Sequence, residues 1–516
     1  MNNLIKRIIV VGGGSAGWLT ASIVAARHKV RIDNGELTVT LIESGNIPTV
    51  GVGEGTWPTM PQTLRSIGVS ETEFIRECDV SFKQGSKFVD WDIDKETNFY
   101  YHPFDVPNGA LEGDIAEYWL SQNSGSSLAK LFTSQEDICE QGLAPKTIST
   151  PEYAGYANYG YHLDAIKFAA FLQKHSVSKL GVNHIVADIE QAVLANDGYI
   201  NSVKLSDGRE ISADFFIDCS GFRSLLLGES LGIKFKKIDD VLFADTALAV
   251  QVPYENDNAY IASYTQSTAQ TAGWIWDIGL PTRRGVGYVF SSKYQSRESA
   301  EQDLMTYVEN SGASTKDLNV KAISFQAGHR EKFFHKNCVG IGLSAGFLEP
   351  LEAAALVMIE LSASMLAEQL PKTKSTLSII ENRFNDTFSY RWQRVIEFLK
   401  LHYIVSNRET PFWQDNRKQA SIPERLQAQM ELWQFTVPTQ LDFNQLGEVF
   451  QAASYQFVLY GSNFRTEHLF TLAPQINSFS LEQVQQNKHK TEQLLTTLPT
   501  NRELVNKVKQ YGFSKI

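Results

Sequence analysis

The chain of 516 residues has only four cysteines, Cys78, Cys139, Cys219 and Cys338, and they form no CxxC pair and no His/Cys spacing suited to zinc. A disulfide framework and a structural metal centre are thereby excluded as organising principles. A reduced, cytoplasmic compartment is expected, with no metal in the site. No long Lys/Arg block is present, and a net charge of −11 leaves no basic surface for nucleic acid. Long hydrophobic runs are scarce as well. The most apolar stretch after the N-terminus, Ala353 to Leu370, is broken by Glu360 and Glu368 and reads as a buried helix rather than a membrane span. The first residues pass almost at once into Ile8-Ile9-Val10-Val11, so no signal peptide is expected. No repeat period and no low-complexity segment is visible. These absences leave an ordinary globular composition, 43% hydrophobic and 20% charged, in a chain too long for one simple core. Two or three lobes are expected.

What is present is organised around glycine. Residues 6–11 form a short apolar strand, the glycine cluster 12–17 follows, Trp18 to His28 has helical character, and Leu37 to Ile42 is a second β-branched strand. Residues 60–155 are richer in aromatics and loops. Strand character returns near Asn183 to Val193 and again from Ile211 to Asp218, which ends in Cys219-Ser220-Gly221. Residues 240–330 alternate polar and apolar, as sheet does. The α/β texture comes back at Cys338-Val339-Gly340-Ile341-Gly342, with a helix expected from Glu352. Helix formers dominate from 375 onward, broken near Thr410-Pro411, Ser421-Ile422-Pro423 and Val437-Pro438. A discontinuous nucleotide module with insertions between its pieces is the expected organisation.

Gly12-Gly13-Gly14-Ser15-Ala16-Gly17 satisfies GxGxxG through Gly12, Gly14 and Gly17. The first glycine permits a tight turn, the second lets backbone approach a pyrophosphate, and the third lets helix pack on strand. The helix N-terminus attracts the phosphate charge. Glu43 ends the second strand 26 residues after Gly17, where an acid can accept both hydroxyls of an adenosine ribose. The motif alone does not decide between NAD and FAD. Only one such fingerprint is present. For a flavin this leaves no second dinucleotide site for a nicotinamide donor, so reducing equivalents would arrive from a separate reductase.

Several further stretches resemble the flavin-dependent halogenases of the tryptophan halogenase type. Ile47-Pro48-Thr49-Val50-Gly51-Val52-Gly53-Glu54-Gly55-Thr56 looks like the flavin-contacting segment of that family, with Gly55 where alanine is usual. Gly273-Trp274-Ile275-Trp276-Asp277-Ile278 resembles its WxWxIP signature, with the proline two positions late. Phe347-Leu348-Glu349-Pro350-Leu351-Glu352 is similar to the segment of its catalytic glutamate, and Ser81-Phe82-Lys83-Gln84-Gly85-Ser86-Lys87-Phe88 to that of its catalytic lysine. Tyr161-His162-Leu163-Asp164 and Asp218-Cys219-Ser220-Gly221-Phe222-Arg223 also occur in related flavin monooxygenases. The matches keep one order from about residue 5 to 360 and are less clear beyond about 415.

The resemblance implies an α/β, FAD-dependent monooxygenase-like fold with a GxGxxG Rossmann-type FAD module, an inserted mixed-sheet substrate lobe and a helical C-terminal region. It assigns 1–60, 155–225 and 330–370 to the FAD module, 61–154 and 226–329 to the lobe, and 371–516 to the helical region. It implies an enzyme using reduced FAD, supplied by a separate flavin reductase, with oxygen and a halide, chloride or bromide, to halogenate a small electron-rich aromatic such as an indole. Hypohalous acid would be relayed to Lys83, and a homodimer is compatible with the pattern. A flavin monooxygenase that hydroxylates or epoxidises is the alternative, distinguished by Lys83, Glu352 and the Trp274/Trp276 pair, none of which direct oxygenation needs.

On the family pattern Lys83 polarises hypohalous acid or forms a haloamine, which desolvation of the amine would favour. Glu352 orients the electrophile or accepts the ring proton. Gly12, Gly14, Ser15, Ala16, Gly17, Glu43, Ile47, Val50, Gly53, Leu343 and Leu356 would hold FAD. Ala354 and Ala355 would bind halide through backbone N–H groups, in an Ala353-Ala354-Ala355 run where the family usually has Ser-Thr-Gly. His102 and Phe104 would sandwich the substrate, with Tyr455 and Phe457 as further aromatic candidates. Lys87 is expected to be a solvated surface charge and Glu349 a helix-start cap.

Overall fold

The computed structural model describes residues 4–46, 53–93, 98–110, 113–122, 125–443, 445, 447–462, 464–467 and 472–514. The chain forms two compact units, both discontinuous in sequence. One comprises Met1–Asp79, Leu163–Ile238 and Gln326–Trp392; the other comprises Val80–His162, Asp239–Phe325 and Gln393–Ile516.

The first unit is built on a six-stranded sheet in the order Phe334–His335, Cys338–Gly340, Phe215–Asp218, Arg7–Val11, Thr38–Glu43, Asn183–Val186, parallel except at the Phe334–His335 edge. Its central strand is buried at four successive residues from Ile8, the pattern of a parallel strand covered on both faces. Ile9, Val11, Ile42 and Phe216 share a core with Val203 and Leu205 of a small antiparallel sheet. Helix Ser15–Arg27 packs against helices Ala165–His175 and Ala354–Glu368. Asp218, fully buried at the end of its strand, accepts the backbone N–H of Ser220 at 3.0 Å and those of Leu226 and Leu227 at 2.8 Å each. Three amide donors compensate the buried carboxylate and set the direction in which the chain leaves the sheet.

The second unit carries a seven-stranded mixed sheet in the order Lys321–Ser324, Thr246–Pro253, Arg283–Phe290, Gly273–Gly279, Thr265–Gln270, Gly85–Val89, Phe99–Pro103. Only the pairing of Thr265–Gln270 with Gly85–Val89 is parallel. The expectation of continuous sheet over 240–330 fails at Arg297–Asn310, which is helical. Ser296 caps that helix by accepting the Ser299 N–H, and Ala300, Leu304 and Val308, one turn apart, bury against the sheet. This helical period is hidden in the sequence by the charged residues between. The C-terminal region is helical, as expected, with helices including Leu377–Ile404, Pro411–Asn416, Glu424–Trp433, Ala452–Gly461, Pro474–Thr497 and Asn501–Tyr511. The break at Thr410-Pro411 falls where proline starts a helix. All four cysteines are buried thiols. Among the described residues no helix is long and apolar enough to cross a membrane.

Within helix Ala354–Glu368, Glu360 accepts the hydroxyls of Thr59 and Thr63 at 3.1 and 2.6 Å and so ties down helix Thr59–Ser66. Burial raises its carboxyl from 4.5 to about 7, against the lowering effect of the two hydroxyls. A folded value above the unfolded one means that the stability this group contributes is complete below the unfolded value and is lost as pH rises through about 7. Glu360→Gln keeps an acceptor for a threonine and removes the titration. Between about pH 5 and 8, wild type should lose thermal stability relative to the variant by on the order of 3 kcal/mol at most. Parallel melting profiles of the two proteins would exclude Glu360 as the cause.

Candidate active site

In the first unit the glycine-rich turn joins strand Arg7–Val11 to helix Ser15–Arg27. Gly12 has φ +111°, and a Cβ there would lie 2.2 Å from the Cys219 carbonyl oxygen; a Cβ on Gly17 would lie 1.8 Å from that of Gly12. Both glycines are dictated by backbone approaching backbone. Gly14 is different. It is the helix N-cap, makes no side-chain cap, and its Cβ would meet nothing within 4 Å. Open space therefore faces the turn at the point where Ser15, Ala16 and Gly17 carry N–H groups that a helix leaves without internal partners. That is a cradle suited to a pyrophosphate, so the residues present fit a dinucleotide.

Glu43, at the end of the neighbouring strand, lies against Gly13, whose Cβ would be 1.5 Å from Oε2. Its Oε1 accepts a hydrogen bond from His184 Nε2 at 2.6 Å, and His184 stands edge-on to Trp18 with ring centroids 5.1 Å apart. The carboxylate is thus oriented before any ribose binds. His184 comes from strand Asn183–Val186, about 140 residues away in sequence, and only the parallel pairing of that strand with Thr38–Glu43 brings it there.

Ile47 and Val50 lie outside the described residues, whereas Gly53 is buried. Downstream of it, Trp57 Nε1 donates to the Glu352 carbonyl at 2.8 Å. Gly342 approaches the glycine-rich turn so closely that its Cβ would lie 2.7 Å from Ala16 Cβ. Leu343, in the turn Gly342–Ser344, is 39% exposed, whereas Leu356 is buried in helix Ala354–Glu368. Glu352 is buried beside the start of this helix. The helix begins at Ala354 rather than Glu352, and its N-cap is Ala353, left-handed at φ 53° with no side-chain cap. The expectation that Glu349 caps it is therefore wrong. A turn closed by Ala353 N–H to the Pro350 carbonyl separates Glu349 from the helix, and Glu349 is itself buried. The left-handed alanine costs about 1–2 kcal/mol. Ala354 and Ala355 follow in the first turn, the former buried and the latter exposed.

In the second unit the segment Ser81 to Phe88 is two strands, Ser81–Lys83 and Gly85–Val89, hinged at Gln84. Gly85 is required at the hinge, since a Cβ would lie 2.6 Å from the His102 carbonyl oxygen. Asn501 holds the first strand from both sides, accepting the Phe82 N–H at 3.2 Å and donating to the Phe82 carbonyl at 3.0 Å. Gln84 donates to the Leu143 carbonyl at 2.8 Å. Lys83, between these anchors, is 1% exposed, and its Nζ stands 5.2 Å from the centre of the Phe104 ring. Lys83 and Phe104 are thus brought together.

His102, on strand Phe99–Pro103, is buried, with ring centroids 5.6, 6.3 and 6.2 Å from those of Phe398, Phe450 and Phe457. Tyr455 is buried against Phe398, Trp433 and Phe443. Trp274 and Trp276 are both buried on strand Gly273–Gly279, with centroids 6.4 Å apart, and Trp276 fills the place where Gly287 has no side chain. The expectation of a solvated Lys87 fails. Its side chain is 12% exposed, donates to Glu140 at 2.5 Å and lies 4.1 Å from the Phe99 ring centre. Tyr101 donates to the same carboxylate, so Lys87 belongs to a partly buried scaffold of aromatics around one ion pair whose carboxylate reaches the surface. Asn501 and His184 were not legible in the sequence, because both act across long separations and carry no local motif.

A family model for tryptophan halogenase matches residues 7–477. The chain is 32% identical over 454 residues to tryptophan 6-halogenase SttH of Streptomyces toxytricini, covering 84% of each chain. It is similar to the crystal structure of a tryptophan halogenase from Shewanella frigidimarina, with 46% identity, 99% of each chain covered and a TM-score of 0.96. BrvH, a flavin-dependent halogenase from Brevundimonas, is similar at 29% identity and a TM-score of 0.84, over 98% of this chain and 99% of that one.

The two glycines separate binding from folding. Gly14→Val should weaken FAD binding, read by flavin fluorescence quenching, by about tenfold or more, with the melting point of the FAD-free protein held within about 2 °C. Gly17→Ala should lower that melting point itself by several degrees. Full FAD affinity in Gly14→Val would mean that the open space is not the cradle.

Proposed function

The chain belongs to the tryptophan halogenase family, and on that premise we propose that it halogenates an electron-rich, tryptophan-like aromatic such as an indole, through an electrophile received by Lys83. The observation that carries this reading is the burial of Lys83, 1% exposed with its Nζ over the Phe104 ring. A lysine head group is costly to bury and is retained where its charge, or its lone pair once deprotonated, has work to do. Reduced FAD, supplied by a separate flavin reductase, would activate molecular oxygen, the oxidant that turns chloride or bromide into hypohalous acid. The remaining tasks fall to the protein's own side chains, in a cytoplasmic enzyme.

The first unit holds the nucleotide. Ser15, Ala16 and Gly17 offer backbone N–H groups to the pyrophosphate and Glu43 takes the ribose hydroxyls. Gly53 bears on the flavin segment, and Leu343, an exposed apolar side chain next to the turn, offers a surface for the flavin ring, with Leu356 behind. Ala354 and Ala355 bind halide through the first-turn N–H groups of their helix; no hydroxyl is needed for that, and none is present.

In the second unit Lys83 receives the hypohalous acid, either as a hydrogen-bond donor that polarises the oxygen–halogen bond or as an amine that takes the halogen itself. Phe104 and His102 stack against the aromatic substrate. Trp274 and Trp276, both buried, keep bulky substrates from direct oxygenation. Glu352 accepts the ring proton, a base's role for a carboxylate.

The test is incubation with FAD, a flavin reductase, NADH, oxygen and bromide or chloride over a panel of indoles, phenols and pyrroles, with mass spectrometry of the products. Wild type should give mono-halogenated product. Lys83→Ala should lower its formation by on the order of a hundredfold or more while FAD affinity stays unchanged. Oxygenated but never halogenated products from wild type, or an undiminished Lys83→Ala, would refute the reading.

A further inference from the structure

His162 has no task in that scheme, yet the fold sets it beside Lys83. Strand Gly160–Leu163 runs antiparallel to Ser81–Lys83, with His162 opposite Ser81 and Gly160 opposite Lys83. Residues directly opposite, and those two apart on a strand, share a face, so His162 and Lys83 project from the same side as diagonal neighbours. His162 is fully buried. Its Nε2 lies 2.8 Å from Thr265 Oγ1, and its buried Nδ1 has no hydrogen-bond partner among the described residues. A buried ring nitrogen left so costs about 1–3 kcal/mol.

Burial, and after it the charge of Lys83, holds the imidazole well below its ordinary pKa, so the ring is neutral. Lys83 is the one charge acting on it among the described residues. Strand Thr265–Gln270 carries no charged residue. Lys87, on Gly85–Val89, is engaged by Glu140. On helix Asn501–Tyr511, Arg502 donates to the carbonyls of Ala259 and Pro281, and Glu503 caps the helix start at Thr500.

We propose that His162 is the proton partner of Lys83, its Nδ1 taking the proton that the ammonium must release to become a nucleophilic amine and returning it after halogen transfer. This rests on the reading of Lys83 given above. In the step, carried by one water bridging the two groups because Nδ1 is not hydrogen-bonded to Nζ directly, one Nζ–H bond breaks and one Nδ1–H bond forms, and the positive charge passes between the side chains, so no net charge is added to a buried region. The amine then takes halogen from hypohalous acid: a nitrogen–halogen bond forms, the oxygen–halogen bond breaks, and the oxygen leaves as water with one amine proton. Halogen transfer to the ring releases the ring proton to Glu352, the imidazolium gives its proton to the nitrogen as the nitrogen–halogen bond breaks, and the proton on Glu352 returns through solvent to restore the ammonium. The two groups share one proton and titrate as a pair. His162 is a positioning residue in this scheme, since it acts through Lys83.

The test has one readout free of halogenation. In full-length protein labelled with 15N-histidine, the His162 ring signal is identified by its loss in His162→Gln. Its protonation midpoint should move up by about half a unit or more in Lys83→Met, because a repelling charge is gone; an unmoved midpoint would overturn the proposal. The second readout uses His162→Gln itself, whose amide can still bond Thr265 but takes no proton. Where wild type halogenates, this variant should lose about tenfold in kcat with KM within about twofold, and its pH–rate profile should shift alkaline by about a unit or more. Wild-type kcat and pH profile in His162→Gln would overturn the proposal. Absence of halogenation by wild type, together with a shifted His162 midpoint in Lys83→Met, would refute the proposed function and leave the pairing of the two groups standing.

Discussion

A lysine that is 1% exposed is the constraint around which the second unit's site is organised. Removing an ammonium from water costs several kcal/mol unless neighbouring groups compensate, and the surroundings of Lys83 are built accordingly. The Phe104 face lies under the charge, a contact whose energy rises when water is excluded. The neighbouring imidazole stays neutral and adds no second charge. The strand itself is held so that the side chain has little freedom to swing out. Asn501 grips Phe82 on both backbone groups, and Gln84 is anchored at its backbone N–H by the Ser263 carbonyl and at its side chain by Leu143. Lys87, four residues on, shows the contrasting solution: its charge is met by Glu140 and three aromatic rings, leaving it bound in place.

The first unit depends on a different economy, that of backbone packed on backbone. Gly12 against Cys219, Gly17 against Gly12 and Gly342 against Ala16 are approaches that any side chain would block. They bring the helix N-terminus, the end of strand Phe215–Asp218 and the Gly342 turn into one place. Asp218 makes this possible by taking three amide N–H groups at the point where the chain must turn sharply. Gly14, by contrast with Gly12 and Gly17, faces open space. A buried structural turn would have closed that gap.

Several features were legible in advance for identifiable reasons. The glycine turn could be read because its requirements are local: each glycine answers to a neighbour within the turn or at the end of one adjacent strand. The tryptophans at 274 and 276 could be placed on one face because strand geometry repeats every two residues. The helix Arg297–Asn310 was missed because its buried face is only Ala300, Leu304 and Val308, too sparse to stand out from the alternation around it. The starting point of the helix after Glu352 was misjudged for a related reason. Nothing in a run of alanines marks which one adopts a left-handed conformation, and Ala353 does so only because the Pro350 turn holds it there.

By itself the sequence determined the glycine-rich turn and the acid at the end of the second strand, since these depend on residue type and short spacing; Lys83 and Glu352 were shortlisted through the family resemblance. It could not separate Lys83 from Lys87 on physical grounds, because both are lysines beside phenylalanines on short strands. Tertiary structure decided that difference. Pairing with Gly160–Leu163 and the grip of Asn501 bury Lys83 against Phe104 beside a neutral histidine, whereas Glu140 neutralises Lys87. It also decided that Glu43 is oriented by His184 and that His162 shares a sheet face with Lys83. Desolvation and charge pairing are set by contacts between residues about 20 to 420 positions apart. Such contacts exist only once the chain has folded, and no local pattern encodes them.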